Sequence, residues 1–253
     1  MTRILLISIS IILLSIPCSA RMGAVMMGGS QAASATSYAD CSQIGSHAFV
    51  YFADYSGATD KGCKGESTAI DGTLSGATVV AGGTDPGTAS PTSAGNVLKL
   101  AATNDYIRWA ITSGDIYDSS EGQACFDFYV SASSGANSFF LGYINPFNSD
   151  KVTFGSTGMI TYSHTGNGVS TQVSAPNASF ADATWTTLCV RWSVSQNQVG
   201  IKVAESNWII DSDADDVTEY ASTPSYLYIG YGSLTAGEYI YIDNLTVDKE
   251  SGI

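Results

Sequence analysis

From His47 to its end, the chain keeps no helical period over any ten residues. Short runs rich in Val, Ile, Phe, Tyr, Thr and Trp alternate instead with clusters of Gly, Ser, Asn and Asp. On an extended backbone successive side chains point to opposite faces, so apolar runs of period two predict half-buried strands. Such runs occupy residues 47–55, 78–81, 97–101, 106–111, 124–130, 139–144, 152–154, 159–163, 186–194, 199–204, 226–231 and 239–247. Many short strands between frequent turn signals predict an all-β sandwich or barrel. The Ser, Gly, Thr and Pro stretch 82–95 reads as a long surface loop within one domain, residues 41–250.

Composition narrows the function classes. Only 13% of residues are charged, about half the usual share. The 23 acidic and 10 basic residues leave a net charge of -13. That balance counts against proteins that grip nucleic acid or anionic membranes through basic patches. Aromatic residues at 11% can bury a core that a disordered chain lacks.

The N-terminus has the form of a secretory signal, residues 1–20. Arg3 supplies the basic region, Ile4 to Ile16 the apolar run, and Pro17-Cys18-Ser19-Ala20 the small residues before cleavage. The run is shorter than the roughly 20 residues that span a bilayer, so a membrane-spanning reading is not preferred. Cys18 also admits a lipid-anchored reading, although Ile16 and Pro17 before it do not suit that processing. Residues 21–40 lack periodicity and are expected to be a flexible lead-in. The expected location is secreted, either extracellular or periplasmic.

Cleavage after Ala20 leaves Cys41, Cys63, Cys125 and Cys189. An even number in an exported chain implies disulfides, and four allow three pairings. Proximity favours Cys41 with Cys63, which leaves Cys125 with Cys189. In 124–130, Ala124, Phe126, Phe128 and Val130 share one face, opposite Cys125, Asp127 and Tyr129. In 186–194, Leu188, Val190 and Trp192 oppose Cys189 and Arg191. Two such strands side by side would set up a cross-strand bridge.

Several of these segments resemble laminin-G-like and pentraxin-like domains of the concanavalin A-like jelly-roll superfamily. Gly95-Asn96-Val97-Leu98-Lys99-Leu100 followed by Tyr106-Ile107-Arg108-Trp109 is similar to the opening of those domains. Ala124 to Val130 resembles the next strand, and Trp185-Thr186-Thr187-Leu188-Cys189-Val190-Arg191-Trp192 resembles the strand that carries a Cys and a Trp. Residues 199–203, 227–230 and 241–247 follow in the same order, so the likeness covers roughly residues 95 to 248. The resemblance implies a two-sheet antiparallel jelly-roll sandwich that binds carbohydrate and in some members calcium. It also implies a disulfide between the strands of Cys125 and Cys189. The chain departs from the family's acidic calcium cluster, and from the Glu-x-Asp-x-x-Glu strand of its glucanases.

Candidate chemistry is sparse. With the mature cysteines oxidised no thiol nucleophile remains. His47 and His164 are the only histidines. The first is expected at a strand entry, and the second in a turn beside Gly166-Asn167-Gly168. Asp127 has no second carboxylate at catalytic spacing and is expected to pair with Arg191 or a backbone group. Metal candidates are Asp211, Asp213 and Asp215 in an acidic run, and Asp243 on the last strand, where the resemblance places a structural calcium ligand. The run lacks the Gly and Glu of an EF-hand, and the plainer reading is a solvated loop. Tyr226 and Tyr228 alternate with Leu227 and Ile229, and Tyr239 and Tyr241 with Ile240 and Ile242. With Tyr129 and Tyr143 they are candidates for an outward aromatic platform, where rings stack on sugar faces and hydroxyls stay wet. The alternative is tyrosines that simply populate strands, or that lie under the N-terminal segment. Asn177-Ala178-Ser179 and Asn244-Leu245-Thr246 fit the glycosylation pattern.

These features predict a secreted, non-catalytic module that recognises polysaccharide or surface glycan. A structural or adhesive protein that self-associates through the lead-in or an edge strand is the alternative. A hydrolase or lyase with an atypical site ranks third.

Overall fold

A computed structural model describes residues 41, 47–51, 61–64, 68–88, 90, 95–111, 120–135, 137–145, 148–211, 217–221 and 225–249. They lie in one compact unit, Ala32–Ile253. The expected signal segment and lead-in, residues 1–40, lie outside the described residues, as do Asp213, Asp215 and the side chain of Tyr143.

Sixteen strands and no α-helix occur among the described residues. The first eight are β1 (Phe49–Tyr51), β2 (Lys61–Lys64), β3 (Thr68–Ser75), β4 (Thr78–Ala81), β5 (Asn96–Leu100), β6 (Tyr106–Ala110), β7 (Glu121–Val130) and β8 (Asn137–Asn145). The others are β9 (Asn148–Phe154), β10 (Ile160–Gly166), β11 (Val169–Ala175), β12 (Thr186–Ser193), β13 (Gln198–Val203), β14 (Ile209–Asp211), β15 (Tyr226–Gly230) and β16 (Ile240–Asp248). Pairing is antiparallel and continuous in the order β11-β10-β9-β8-β15-β6-β3-β2-β1-β16-β7-β12-β13-β14, with β5 on β16 and β4 on β5. No helix among the described residues is long and apolar enough to cross a membrane.

The sequence predicts two separate sheets, whereas the pairing forms one path. The reason is β3, which is long enough for a different neighbour at each end. Thr68–Asp71 pairs with β2, and Gly72–Ser75 pairs with β6. The path folds over at this strand and brings its two limbs face to face. Phe126 of β7 meets Phe139 of β8 at 5.4 Å, and Phe128 meets Phe154 of β9 at 4.8 Å. Trp109 of β6 lies 4.9 Å from both Phe49 and Tyr51 of β1. Side chains of this size contribute about 1.5–3 kcal/mol each when fully buried, and these contacts bind the limbs into one core.

The inward rows are those that alternation predicts. Ala124, Phe126, Phe128, Val130, Leu188, Val190 and Trp192 are all buried in that core. Cys125 stands directly opposite Cys189, and the two are bridged, as are Cys41 and Cys63. Such bridges persist in oxidising compartments. The strands with no sequence expectation are β2, β3, β11 and β14. In β11 only Thr171, Val173 and Ala175 are buried, a small and partly polar face with weak periodicity.

Candidate functional site

The limb from β3 to β11 turns Ile107, Trp109, Leu227, Ile229, Phe139 and Leu141 into the core. The residues between them face the other way. Register places Ser75, Tyr106, Gly230, Phe140, Lys151, Ser163 and Gln172 in one cross-strand row. A second row holds Thr73, Arg108, Tyr228 and Gly142. Gly230 and Gly142, both buried, fall in these rows, and a groove opens between Tyr231 and the Phe140–Lys151 pair. A Cβ on Gly230 would lie 2.2 Å from the Asp105 carbonyl oxygen, and its φ is +113°. Only glycine accepts that close approach in that backbone region.

Tyr231 follows at φ 58° and is 42% exposed, on the rim shared by two cavities. One, of about 240 Å³, is lined by Tyr106, Arg108, Tyr228 and Tyr231. The other, of about 710 Å³, continues over Ser138, Phe140, Ser149, Lys151 and Thr165. The rings form a chain, with Tyr226 5.9 Å from Tyr228, Tyr228 5.5 Å from Tyr106, and Tyr106 5.6 Å from Tyr231. Arg108 sits inside it. Its Nη1 donates to the Tyr228 hydroxyl at 3.1 Å, and its guanidinium lies 4.4 Å from the centre of the Tyr226 ring. The cation–π contact and the hydrogen bond hold the fork in place.

Of the expected platform tyrosines, Tyr226 and Tyr228 belong to this face. Tyr129, Tyr239 and Tyr241 lie on the other limb, and the structure corrects the expectation that Tyr129 and Tyr241 stand open, while Tyr239 is half-buried. They do turn away from the main core as alternation predicts, but residues 82–88 lie against Tyr241 and Trp185. Tyr129 is 7% and Tyr241 2% exposed, in a second small cluster with Val97, Val80 and Trp185. Asp85 accepts from Lys99 at 2.6 Å and from the Tyr241 hydroxyl. The Trp185 indole donates to the Thr88 carbonyl at 3.0 Å. Burial, reinforced by the hydrogen bond to Asp85, pushes the Tyr241 hydroxyl well above the usual tyrosine range. Tyr106, Arg108, Phe140 and Tyr231 are not among the residues singled out from the sequence. The alternation of Tyr106 and Arg108 with Ile107 and Trp109 carried the signal for two of them. Tyr231 depends on a backbone turn with no such mark.

The acidic candidates also separate. Asp211 lies on β14, and Asp243 on β16 with three strands between them in the pairing path, roughly 19 Å at ordinary strand spacing. They therefore belong to different places. Asp243 is fully buried and stands directly opposite Asp127, itself 1% exposed. Asp127 accepts from the Thr187 hydroxyl at 2.6 Å, while Arg191, its expected partner, lies 4.3 Å from the centre of the Trp208 ring. Among the described residues no cluster of three His, Cys, Asp or Glu side chains could hold a metal. His47 sits just ahead of β1 with its Nδ1 2.8 Å from Asp248. His164 is not the turn residue its glycine neighbours suggest. It shares the inward row of β10 with Ile160 and Tyr162 and is fully buried beside Asp150.

No protein-family model and no curated protein matches the chain. Solved structures do match it. They include a receptor binding domain at 8% identity and TM-score 0.54, covering 74% of this chain and 46% of that one. The binding domain of botulinum neurotoxin DC in complex with rat synaptotagmin II matches at 9% identity and TM-score 0.53, over 74% and 46% of the two chains. The same toxin's binding domain in complex with SialylT matches at 8% identity and TM-score 0.52, over 72% and 43%. At these identities the likeness is one of fold. The chain spans less than half the length of each of these structures.

Proposed function

We propose that the chain is a secreted, non-catalytic binding module with a concanavalin A-like jelly-roll fold, and that it takes polysaccharide or surface glycan in the groove beside Tyr231. The chain of four tyrosine rings along this groove carries this reading. Ring faces stack on the apolar faces of sugars, and the flanking Ser and Thr hydroxyls offer both donors and acceptors. The fold-over at β3 and the bridge between β7 and β12 support the jelly-roll assignment. Two disulfides support an exported chain. The structural neighbours are themselves binding domains, one in complex with SialylT and another with a protein, which supports a binding role.

The test is retention on insoluble polysaccharide and on a glycan array. Tyr106→Ala and Tyr228→Ala each remove a ring contact of about 0.5–1.5 kcal/mol, a loss of roughly two- to tenfold in affinity. Tyr241→Ala serves as the control, because it strikes the covered cluster and lowers stability without selecting among glycans. Retention unchanged in both groove variants would overturn the reading. Concentration-dependent assembly with no sugar bound would favour the structural alternative.

The same reading includes a structural calcium at Asp243. Its carboxylate oxygens are the hard donors calcium takes, and hydroxyl or backbone oxygens would complete the shell.

A further inference from the structure

The groove carries a charge pattern opposite to that of the chain as a whole. Among the described residues, the outward positions from Thr73 on β3 to Ser174 on β11 include no Asp or Glu, in a chain with 23 of them. The carboxylates on or beside these strands are turned elsewhere. Asp105 is buried and accepts from the amides of Ala101 and Ala102, each at 2.8 Å. Asp150 points inward to His164 and Tyr162. Asp71, two residues before Thr73, is paired with Lys61. Two cations do stand on the face, Arg108 and Lys151. Among the described residues neither has a carboxylate partner. Arg108 bonds only the Tyr228 hydroxyl and stacks on tyrosines, its Nε has no hydrogen-bond partner, and Lys151 lies 6.0 Å from the Phe140 ring centre.

On a strongly acidic protein, unpaired cations at a groove favour a ligand that brings the negative charge itself. Arg108 and Lys151 lie on strands three steps apart in the path, roughly 14 Å across the sheet. That span fits an oligosaccharide lying across the strands and exceeds a single sugar ring. Resting on the glycan reading above, we propose that the ligand is an acidic polysaccharide whose charged groups are held by Arg108 and Lys151 while its rings stack on Tyr106, Tyr228 and Tyr231. The guanidinium offers a planar fork to a carboxylate or sulfate, and its tyrosine setting holds that fork ready before the ligand arrives.

The experiment is calorimetric titration of the full chain with polygalacturonate, dextran sulfate and neutral dextran, from about 50 to about 500 mM salt. Acidic probes are expected to bind in preference to neutral dextran, with affinity falling as salt rises. Arg108→Gln and Lys151→Gln are each expected to weaken acidic-probe binding by about 10- to 100-fold. Arg108→Lys should fall between wild type and Arg108→Gln, since it keeps the charge and loses the fork. Thermal melts of each variant confirm the fold, and Lys151→Gln alters a side chain outside the core. Preference for polygalacturonate identifies a carboxylated ligand, and preference for dextran sulfate a sulfated one. Equal, salt-independent binding of neutral and acidic probes overturns this inference and leaves the glycan reading standing. Binding of none of the probes overturns both.

Discussion

His164→Ala is expected to destabilise the fold more than any surface change, for reasons set by its four neighbours. The ring is fully buried, stacked 5.6 Å from Tyr220 and 6.2 Å from Trp192. Its Nε2 lies 3.0 Å from the Thr218 carbonyl oxygen and its Nδ1 2.9 Å from Asp150 Oδ1. The Thr218 carbonyl can only accept, so Nε2 carries a proton and donates to it, while Nδ1 faces the Asp150 carboxyl. Asp150 is satisfied further by the Tyr162 hydroxyl at 2.6 Å and by the Tyr220 hydroxyl. Burial works against the charged ring, but the charge of Asp150, its hydrogen bond and the bond to Thr218 outweigh it. The His164 pKa is therefore raised above 6.5.

Removing one partner of such a pair strands the other. The cost is about 3–5 kcal/mol, and at ~2–4 °C per kcal/mol for a domain of this size Tm falls by roughly 6–20 °C. Because the folded-state pKa is raised, the stabilisation is fully present below the unfolded value of 6.5 and is lost as pH rises through the folded value. Thermal melts followed by circular dichroism at several pH values would read both effects. A double variant, Asp150→Asn with His164→Gln, removes both titrations and should lack the decline that wild type shows above pH 6.5. A cost below about 1 kcal/mol for His164→Ala, or the same decline in the double variant, would refute the stabilising role given to the His164–Asp150 pair. The site has a stake in this network, since Asp150 precedes Lys151 on β9 and holds that strand from the core side.

Two further outcomes are expected. Calcium at a hundredfold over its Kd adds about 2.7 kcal/mol to a site formed only in the folded state, a Tm rise of roughly 5–10 °C. Asp243→Asn should abolish that rise, and no shift in wild type at millimolar calcium would remove the proposed ion. Replacing Cys125 and Cys189 by Ser opens a loop of 64 residues. Chain entropy puts the loss at about 4 kcal/mol, against about 3 kcal/mol for the 22-residue Cys41–Cys63 loop. Denaturant melts that rank the two losses in the reverse order would count against the entropic account.

The two tyrosine pairs show where sequence reading ends. Tyr226-Leu227-Tyr228-Ile229 and Tyr239-Ile240-Tyr241-Ile242 have the same local pattern, and in both the Leu or Ile residues enter the core. Strand sterics alone decide that division, because alternation is a property of each extended backbone. For the same reason the faces of 124–130 and 186–194 and the all-β class were legible one segment at a time. What stands beyond the outward side chain is set by pairing between distant segments. Segment 82–88 arrives over β16 because β4 pairs with β5 and β5 with β16, and Tyr241 is buried. Over β15, by contrast, Tyr228 is left lining an open cavity with Tyr106 and Arg108. His164 obeys the same division, since its strand period was local but the Asp150 carboxylate that meets it was not. The sequence by itself determined which way these side chains point. Only the tertiary structure decided what they meet there, because the contacts join residues that no local interaction brings together.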